Sequence, residues 1–153
     1  MSKVEQRLAE LGNPLPEVAK PVASYIPAVV SGNLVFTSGQ LPFVSGTLAA
    51  TGKLGADIDA ETGKALARQS ALNALAAVKL AIGDLDRVRR VVKVVGFVAS
   101  TANFTAQPAV INGASEFLVD VFGDDGVHAR SAVGVAVLPL DSPVEVELIV
   151  EFE

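Results

Sequence analysis

The sequence predicts an α+β sandwich, a mixed but largely antiparallel sheet with two main helices on one face and a further helix at the N-terminus. Three observations lead there. Two β-rich runs, 25–30 and 34–37, flank a Ser31-Gly32-Asn33 turn. Two segments, 62–82 and 108–122, repeat apolar residues at helical spacing. The chain ends in an alternating run, in which Val144, Val146, Leu148, Val150 and Phe152 interleave with Glu145, Glu147, Ile149, Glu151 and Glu153. Antiparallel strands with helices gathered on one side make this class.

Taken in order, Ser2 caps a short amphipathic helix that puts Val4, Leu8 and Leu11 on one side, and Gly12-Asn13-Pro14 ends it. Three prolines, Pro14, Pro16 and Pro21, make the following segment a connector, so residues 1–22 form an N-terminal helix and linker. The hairpin 25–37 then turns through residues that tolerate positive φ, and Ser38-Gly39-Gln40-Leu41-Pro42 stops its second strand. From Phe43 to Asp59 the Gly, Ser, Thr and Ala content predicts a long surface loop bordering a site.

Residues 62–82 form a helix closed by Gly83, with Lys64, Arg68 and Lys79 on one side. Its stripe Ala67, Ser70, Ala74, Val78 and Ala81 lets a second helix of the same subunit lie close. Residues 88–99 are apolar on both faces apart from Arg89, Arg90 and Lys93, the mark of a central strand. Residues 108–122 form the second main helix, with Val110, Ile111, Ala114, Phe117, Leu118, Val121 and Phe122 on its inner face and Gly123 after it. The last two strands read as a C-terminal hairpin. In its first arm Ser131, Val133, Val135 and Val137 make a bulky face for the core, opposite the small face of Arg130, Ala132, Gly134 and Ala136. Small residues there admit a ligand or another backbone, and Arg130 at their head is a candidate anion anchor.

Length and composition set limits on function. With 153 residues, half of them hydrophobic, the chain suits a single domain over 1–153 with a real core. A net charge of -5 leaves no basic surplus for a phosphate backbone, so nucleic acid is not the expected partner. The absence of Cys removes disulfides and thiolate chemistry, and the N-terminal residues mix charges among their apolar positions. Neither a signal h-region nor a membrane span fits, so the expected location is cytoplasmic and no membrane partner is expected. No dinucleotide, Walker or zinc-protease pattern is present, and the aspartates read as caps and turns rather than a metal site. His128, the one histidine, follows Gly123-Asp124-Asp125-Gly126 and reads as a solvated loop residue. Arg130 by spacing alone suits solvent or a pair with Asp124 or Asp125, and Glu145 suits an exposed face. Hairpin register leaves open whether the two share a face.

Two ordered blocks supply what spacing does not. The block Gly32-Asn33-Leu34-Val35-Phe36-Thr37-Ser38-Gly39-Gln40-Leu41-Pro42 resembles the N-terminal signature of the RidA/YjgF/UK114 family. Ala129-Arg130-Ser131 through Leu138-Pro139, with Val144-Glu145-Val146-Glu147, resembles its C-terminal signature. Residues 91–98 and 112–117 match the middle strand and second helix, so the resemblance runs from about Tyr25 to the end.

The resemblance implies a chorismate-mutase-like fold of the bacillus type, assembled as a homotrimer with clefts between subunits, and it reads the small-residue face as a subunit interface. It also implies a deaminase that hydrolyses reactive enamine and imine intermediates to 2-keto acids and ammonia, with no cofactor and no metal. Carried over by position, Arg130 grips the substrate carboxylate, Glu145 positions the attacking water, Tyr25 lines the cleft, and Ser38 and Gly39 supply polar backbone contacts. A non-catalytic metabolite-binding or regulatory trimer is the alternative. The chain departs from the family at Ala132, where deaminase members carry cysteine, and at His128, which replaces a proline region. The extra N-terminal helix, the loop 43–59 and the segment 100–108 are further departures. The endoribonuclease label attached to the family finds weak support in an acidic chain with one histidine.

Overall fold

A computed structural model describes residues 1–18 and 24–153. The part of the proline connector at 19–23 lies outside the described residues; 14–18 has no regular structure. A five-stranded sheet in the order β1-β2-β7-β5-β6 carries two parallel helices on one face. The strands are β1 (Ala28–Ser31), β2 (Leu34–Thr37), β5 (Val88–Ala99), β6 (Ala129–Val135) and β7 (Val144–Phe152), and the main helices are α2 (Ala60–Ile82) and α3 (Gln107–Phe122). Every pairing is antiparallel except β5 with β6, which a crossover through α3 joins. The β-rich run is shorter than predicted at its start: Tyr25 lies ahead of β1, and Gly32-Asn33 alone makes the turn, with Gly32 at φ 62°.

α1 (Lys3–Glu10) is a packing helix. Ser2 and Glu5 form a reciprocal cap in which Ser2 Oγ accepts from the Glu5 amide and Glu5 accepts from the Ser2 amide. The Asp86 carboxylate also accepts from the Lys3 and Val4 amides, each at 2.9 Å. Leu8 enters the core, and Lys79 of α2 pairs with Glu5.

The stretch 43–59 is not simply a surface loop. It holds a small hairpin, β3 (Phe43–Val44) with β4 (Thr47–Leu48), and then buries Leu54 and Ile58. Leu54 bonds through its backbone to Ala99 and Thr101, and Asn73 of α2 donates to the carbonyls of Leu41 and Phe43, both at 3.0 Å. The apolar residues of this stretch are scattered among Gly, Ser, Thr and Asp without a helical or alternating period, which is why composition suggests only a loop.

α2 and α3 lie side by side; of the predicted stripe, Ala67, Ser70, Ala74 and Val78 are buried, whereas Ala81 is exposed. Their closest approach is set by Gly113, where a Cβ would run into the Lys64 carbonyl oxygen. Lys64 pairs with Glu116 at 2.9 Å, Arg68 pairs with Asp120 at 3.7 Å, and the Arg68 guanidinium stacks over Phe117. The two helices cover a continuous core that includes Leu75, Val94, Ile111, Phe117 and Leu148, all essentially inaccessible.

The C-terminal hairpin is corrected. β6 and β7 do not pair; β6 lies on the outer edge beside β5, and β7 inserts between β5 and β2. The link 136–143 steps across β5, turning through Leu140 and Asp141 at φ 59° and 58°. A parallel β5-α3-β6 unit demands a crossover, whereas β7, with its fully apolar inner face, is more deeply buried at the centre.

The face assignment of β6 is also reversed. Arg130, Ala132 and Gly134 point toward α3, in register with Val94, Gly96 and Val98. A Cβ at Gly134 would lie 2.7 Å from Gln107 Nε2, and one at Gly96 would lie 2.6 Å from Ile111. The side chains that need these small residues include Gln107 and Ile111 of α3, so the small face turns toward a helix of its own chain. Val133 faces the uncovered side and is 44% exposed.

Candidate functional site

Arg130 opens β6 at the sheet edge, where its side chain extends along α3. Its Nη1 donates to Asn112 Oδ1 at 2.8 Å and to Ser115 Oγ at 3.2 Å. Helical spacing puts Asn112 and Ser115 on one side of α3 as an i, i+3 pair, which holds one end of the guanidinium. Neither Asp124 nor Asp125 pairs with it, and among the described residues no carboxylate forms an ion pair with it. Of the five guanidinium N–H donors, two are used on Asn112 and Ser115, and three remain for an incoming anion.

The predicted solvation of His128 does not hold. It is half-buried, with Nδ1 2.6 Å from the Gly126 carbonyl oxygen and Nε2 2.8 Å from Ser115 Oγ. Turn composition suggested exposure, but the 3₁₀ segment Gly123–Gly126 folds back on α3, where a Cβ at Gly126 would strike the Leu118 carbonyl. Ser115, His128 and Arg130 line one open cleft of about 420 Å³, with Val119 and Val127 as its apolar wall. Sequence reasoning missed Asn112 and Ser115 as functional residues; their i, i+3 spacing is visible, but that α3 faces Arg130 follows only from the strand order.

Glu145 stands at the start of β7 on the opposite face. It is in register with Phe97, whereas Arg130 is in register with Val94, an odd separation along β5 that puts the two on different sides of the sheet. The Glu145 carboxyl packs over Gly39, where any Cβ would collide with it. Burial raises the affinity of this carboxyl for its proton, and the neighbouring Glu147 carboxylate adds to the effect. Glu147 is raised too, by burial, against an opposing contribution from Lys93.

Ser38 and Gly39 lie beside Glu145 because Gln40 pairs with Val146 in both directions, at 2.8 and 3.1 Å. Ser38 Oγ donates to the Ile26 carbonyl at 2.6 Å, which ties the residue next to Tyr25 to the same corner, and Tyr25 itself is 47% exposed. Two separate clusters of these residues therefore exist in one chain. Ser38, Gly39 and Glu145, with the backbone beside Tyr25, form one; Arg130, Asn112, Ser115 and His128 form the other. Ala132 belongs to neither and packs against the core under α3. Among the described residues no three His, Asp or Glu side chains cluster closely enough to hold a metal ion, and no helix is long and apolar enough to cross a membrane.

Comparison with known proteins bears on this arrangement. A family described as "YjgF/chorismate_mutase-like, putative endoribonuclease" matches residues 5–152. The chain is 46% identical over 150 residues to Protein TCP17 of Trypanosoma cruzi, covering 97% of this chain and 94% of that protein. A crystal structure of Atu1372 from Agrobacterium tumefaciens, a protein of unknown function, is 48% identical, covers 98% of this chain and 92% of its own, and superposes with a TM-score of 0.92. RidA from an Antarctic Psychrobacter is 30% identical over 89% of this chain and 94% of its own, with a TM-score of 0.64. The two signature blocks, the mixed sheet under two helices and these relatives agree, and the chain belongs to the YjgF/RidA family.

Proposed function

We propose that the chain is a 2-iminobutanoate/2-iminopropanoate-type deaminase, hydrolysing reactive enamines and imines to 2-keto acids and ammonia as a cytoplasmic homotrimer of one RidA-like domain over 1–153. The observation that carries the reading is Arg130: a guanidinium held from one end by Asn112 and Ser115, free of carboxylate partners among the described residues, and open to a cleft. A planar fork of this kind suits a small carboxylated metabolite held in a bidentate pair.

Arg130 and Glu145 face opposite ways in one chain, so a cleft that uses both takes them from neighbouring copies. The uncovered sheet face supports such an assembly. Val29, Phe36 and Val133 expose 51%, 40% and 44% of their surface there, beside half-buried Val95, Phe97 and Ile149. In the assembled cleft, Glu145 positions and deprotonates the water, Ser38 and Gly39 offer backbone contacts, and Tyr25 closes the wall. An imine carbon is already electrophilic, so holding carboxylate and water in reacting geometry accounts for much of the rate, without a cofactor. A raised pKa makes this carboxylate a stronger base than an ordinary glutamate, and the rate falls as pH drops through that raised value.

The test couples an amino-acid oxidase, which generates imines, to keto-acid detection. Wild-type protein accelerates keto-acid release, and Arg130→Ala loses at least about 10²-fold in kcat/KM with its circular dichroism and melting curve intact. Full activity in Arg130→Ala would sink the assignment. Keto-acid binding without acceleration of any imine would instead assign the non-catalytic, metabolite-binding trimer.

A further inference from the structure

Ser115 helps hold Arg130, but its contact with His128 has no part in the roles set out above, and its geometry is specific. Gly126 offers a carbonyl oxygen, which only accepts, so His128 Nδ1 carries a hydrogen and donates across 2.6 Å. That contact fixes the ring and leaves Nε2, 2.8 Å from Ser115 Oγ, as the atom that gains or loses a proton. When the ring is neutral, Nε2 accepts and the Ser115 hydroxyl turns toward it. When the ring is protonated, Nε2–H donates to Ser115 Oγ. Arg130 Nη1 already donates to the same oxygen at 3.2 Å. With both lone pairs occupied, the single hydrogen of Ser115 turns into the cleft. The charge on His128 thus decides whether Ser115 presents a donor to a ligand.

The position of that donor indicates its target. A 2-imino acid held by its carboxylate on Arg130 carries its nitrogen on the adjacent carbon, within reach of a group already bonded to the same guanidinium. Resting on the reading of Arg130 as the carboxylate anchor, we infer that His128, acting through Ser115, supplies the proton on which ammonia leaves.

In the carbinolamine formed by water addition, Ser115 Oγ gives its proton to the amine nitrogen and takes the Nε2 proton of His128. The C–N bond breaks with its electron pair remaining on nitrogen, which departs as ammonia. Glu145 of the neighbouring copy returns the proton it took from water to the nitrogen as the carbinolamine forms; again a carboxylate, it then takes the proton of the carbinolamine hydroxyl as the C=O bond forms. Solvent then returns a proton to His128 and takes one from Glu145, so no oxidant or reductant is needed. Ser115 is the catalytic residue of this step, and His128 is a positioning residue and proton donor behind it. The ionisable groups around the ring are Glu116 and Asp120 of α3, engaged by Lys64 and Arg68 of α2, with Asp124 and Asp125 in the preceding turn and Arg130 on β6.

The test compares wild type with His128→Gln, Ser115→Ala and Ser115→Thr in full-length protein. It measures kcat and KM on oxidase-generated imines across pH, and the affinity for pyruvate by calorimetry. His128→Gln and Ser115→Ala lose about 10- to 100-fold in kcat. Their pyruvate affinity stays within about threefold, because Asn112 still holds Arg130. Ser115→Thr, which keeps the hydroxyl, stays within about threefold of wild type in kcat. Wild type loses kcat at alkaline pH, and His128→Gln lacks that limb. Unchanged kcat in both variants overturns the relay, as does a parallel loss of kcat and pyruvate binding, which would mark a purely structural role in holding Arg130. An active wild type with unaffected variants refutes the relay alone. A wild type that binds pyruvate but accelerates no imine refutes the deaminase reading, and the relay with it.

Discussion

Gly113 shows how one residue sets the distance between two layers. It sits inside α3, where alanine would gain about 1 kcal/mol in helix propensity. The added Cβ would strike the Lys64 carbonyl of α2, a backbone atom anchored in its own helix and unable to swing aside. Overpacking against such an atom costs about 1–3 kcal/mol and occasionally more. The second effect wins, so Gly113→Ala lowers stability by about 1 kcal/mol net in urea unfolding at neutral pH. A neutral or stabilising result would mean that the helices separate without cost. Gly39 is a residue of the same kind at the site, since its missing side chain is the space that the Glu145 carboxyl occupies.

At the scale of the element, α1 depends on a charge supplied from outside itself. Asp86, in the turn after α2, accepts from the Val4 and Lys3 amides, and these two bonds hold its carboxyl below the usual aspartate range. A depressed folded value contributes stability that is present above the unfolded value, near 3.8, and is lost as pH falls through the folded one. The group is exposed, so screening keeps the contribution to at most about 1 kcal/mol. Wild type therefore melts above Asp86→Asn at pH 7, and the gap closes as pH falls below the usual aspartate value. A gap independent of pH would assign the effect to shape rather than charge. β6 is the contrasting element: its alternation is real, but its bulky side faces outward because α3 occupies the other side.

For the whole molecule, one sheet face is packed under α2 and α3 while the other exposes Phe36 and Val133, with no element of the described residues above them. If this face is the trimer interface, a charge there costs far more in the assembly than in the isolated subunit. Phe36→Asp and Val133→Asp convert a trimer seen by sedimentation velocity into monomers that keep their circular dichroism. Imine hydrolysis falls with the trimer, since Arg130 and Glu145 then no longer meet. A wild type that sediments as a monomer at micromolar concentration would remove the basis for a shared cleft.

Local patterns in the sequence determined the elements themselves: the capped first helix, the Gly32-Asn33 turn, the two long helices and the apolar character of β5 and β7 follow from period and capping chemistry confined to each segment. Arg130, Glu145, Ser38 and Gly39 were singled out by two signature blocks, which are also local. The tertiary structure alone decided which strands are neighbours. Pairing register and strand order depend on contacts between residues far apart in the chain, and β6 and β7 carry no turn signal that distinguishes a hairpin from a step across β5. That single difference turns Arg130 toward α3, brings Asn112, Ser115 and His128 to it, and sets Glu145 on the opposite face. The separation of the two clusters, and the proton path now assigned to one of them, follow from strand order.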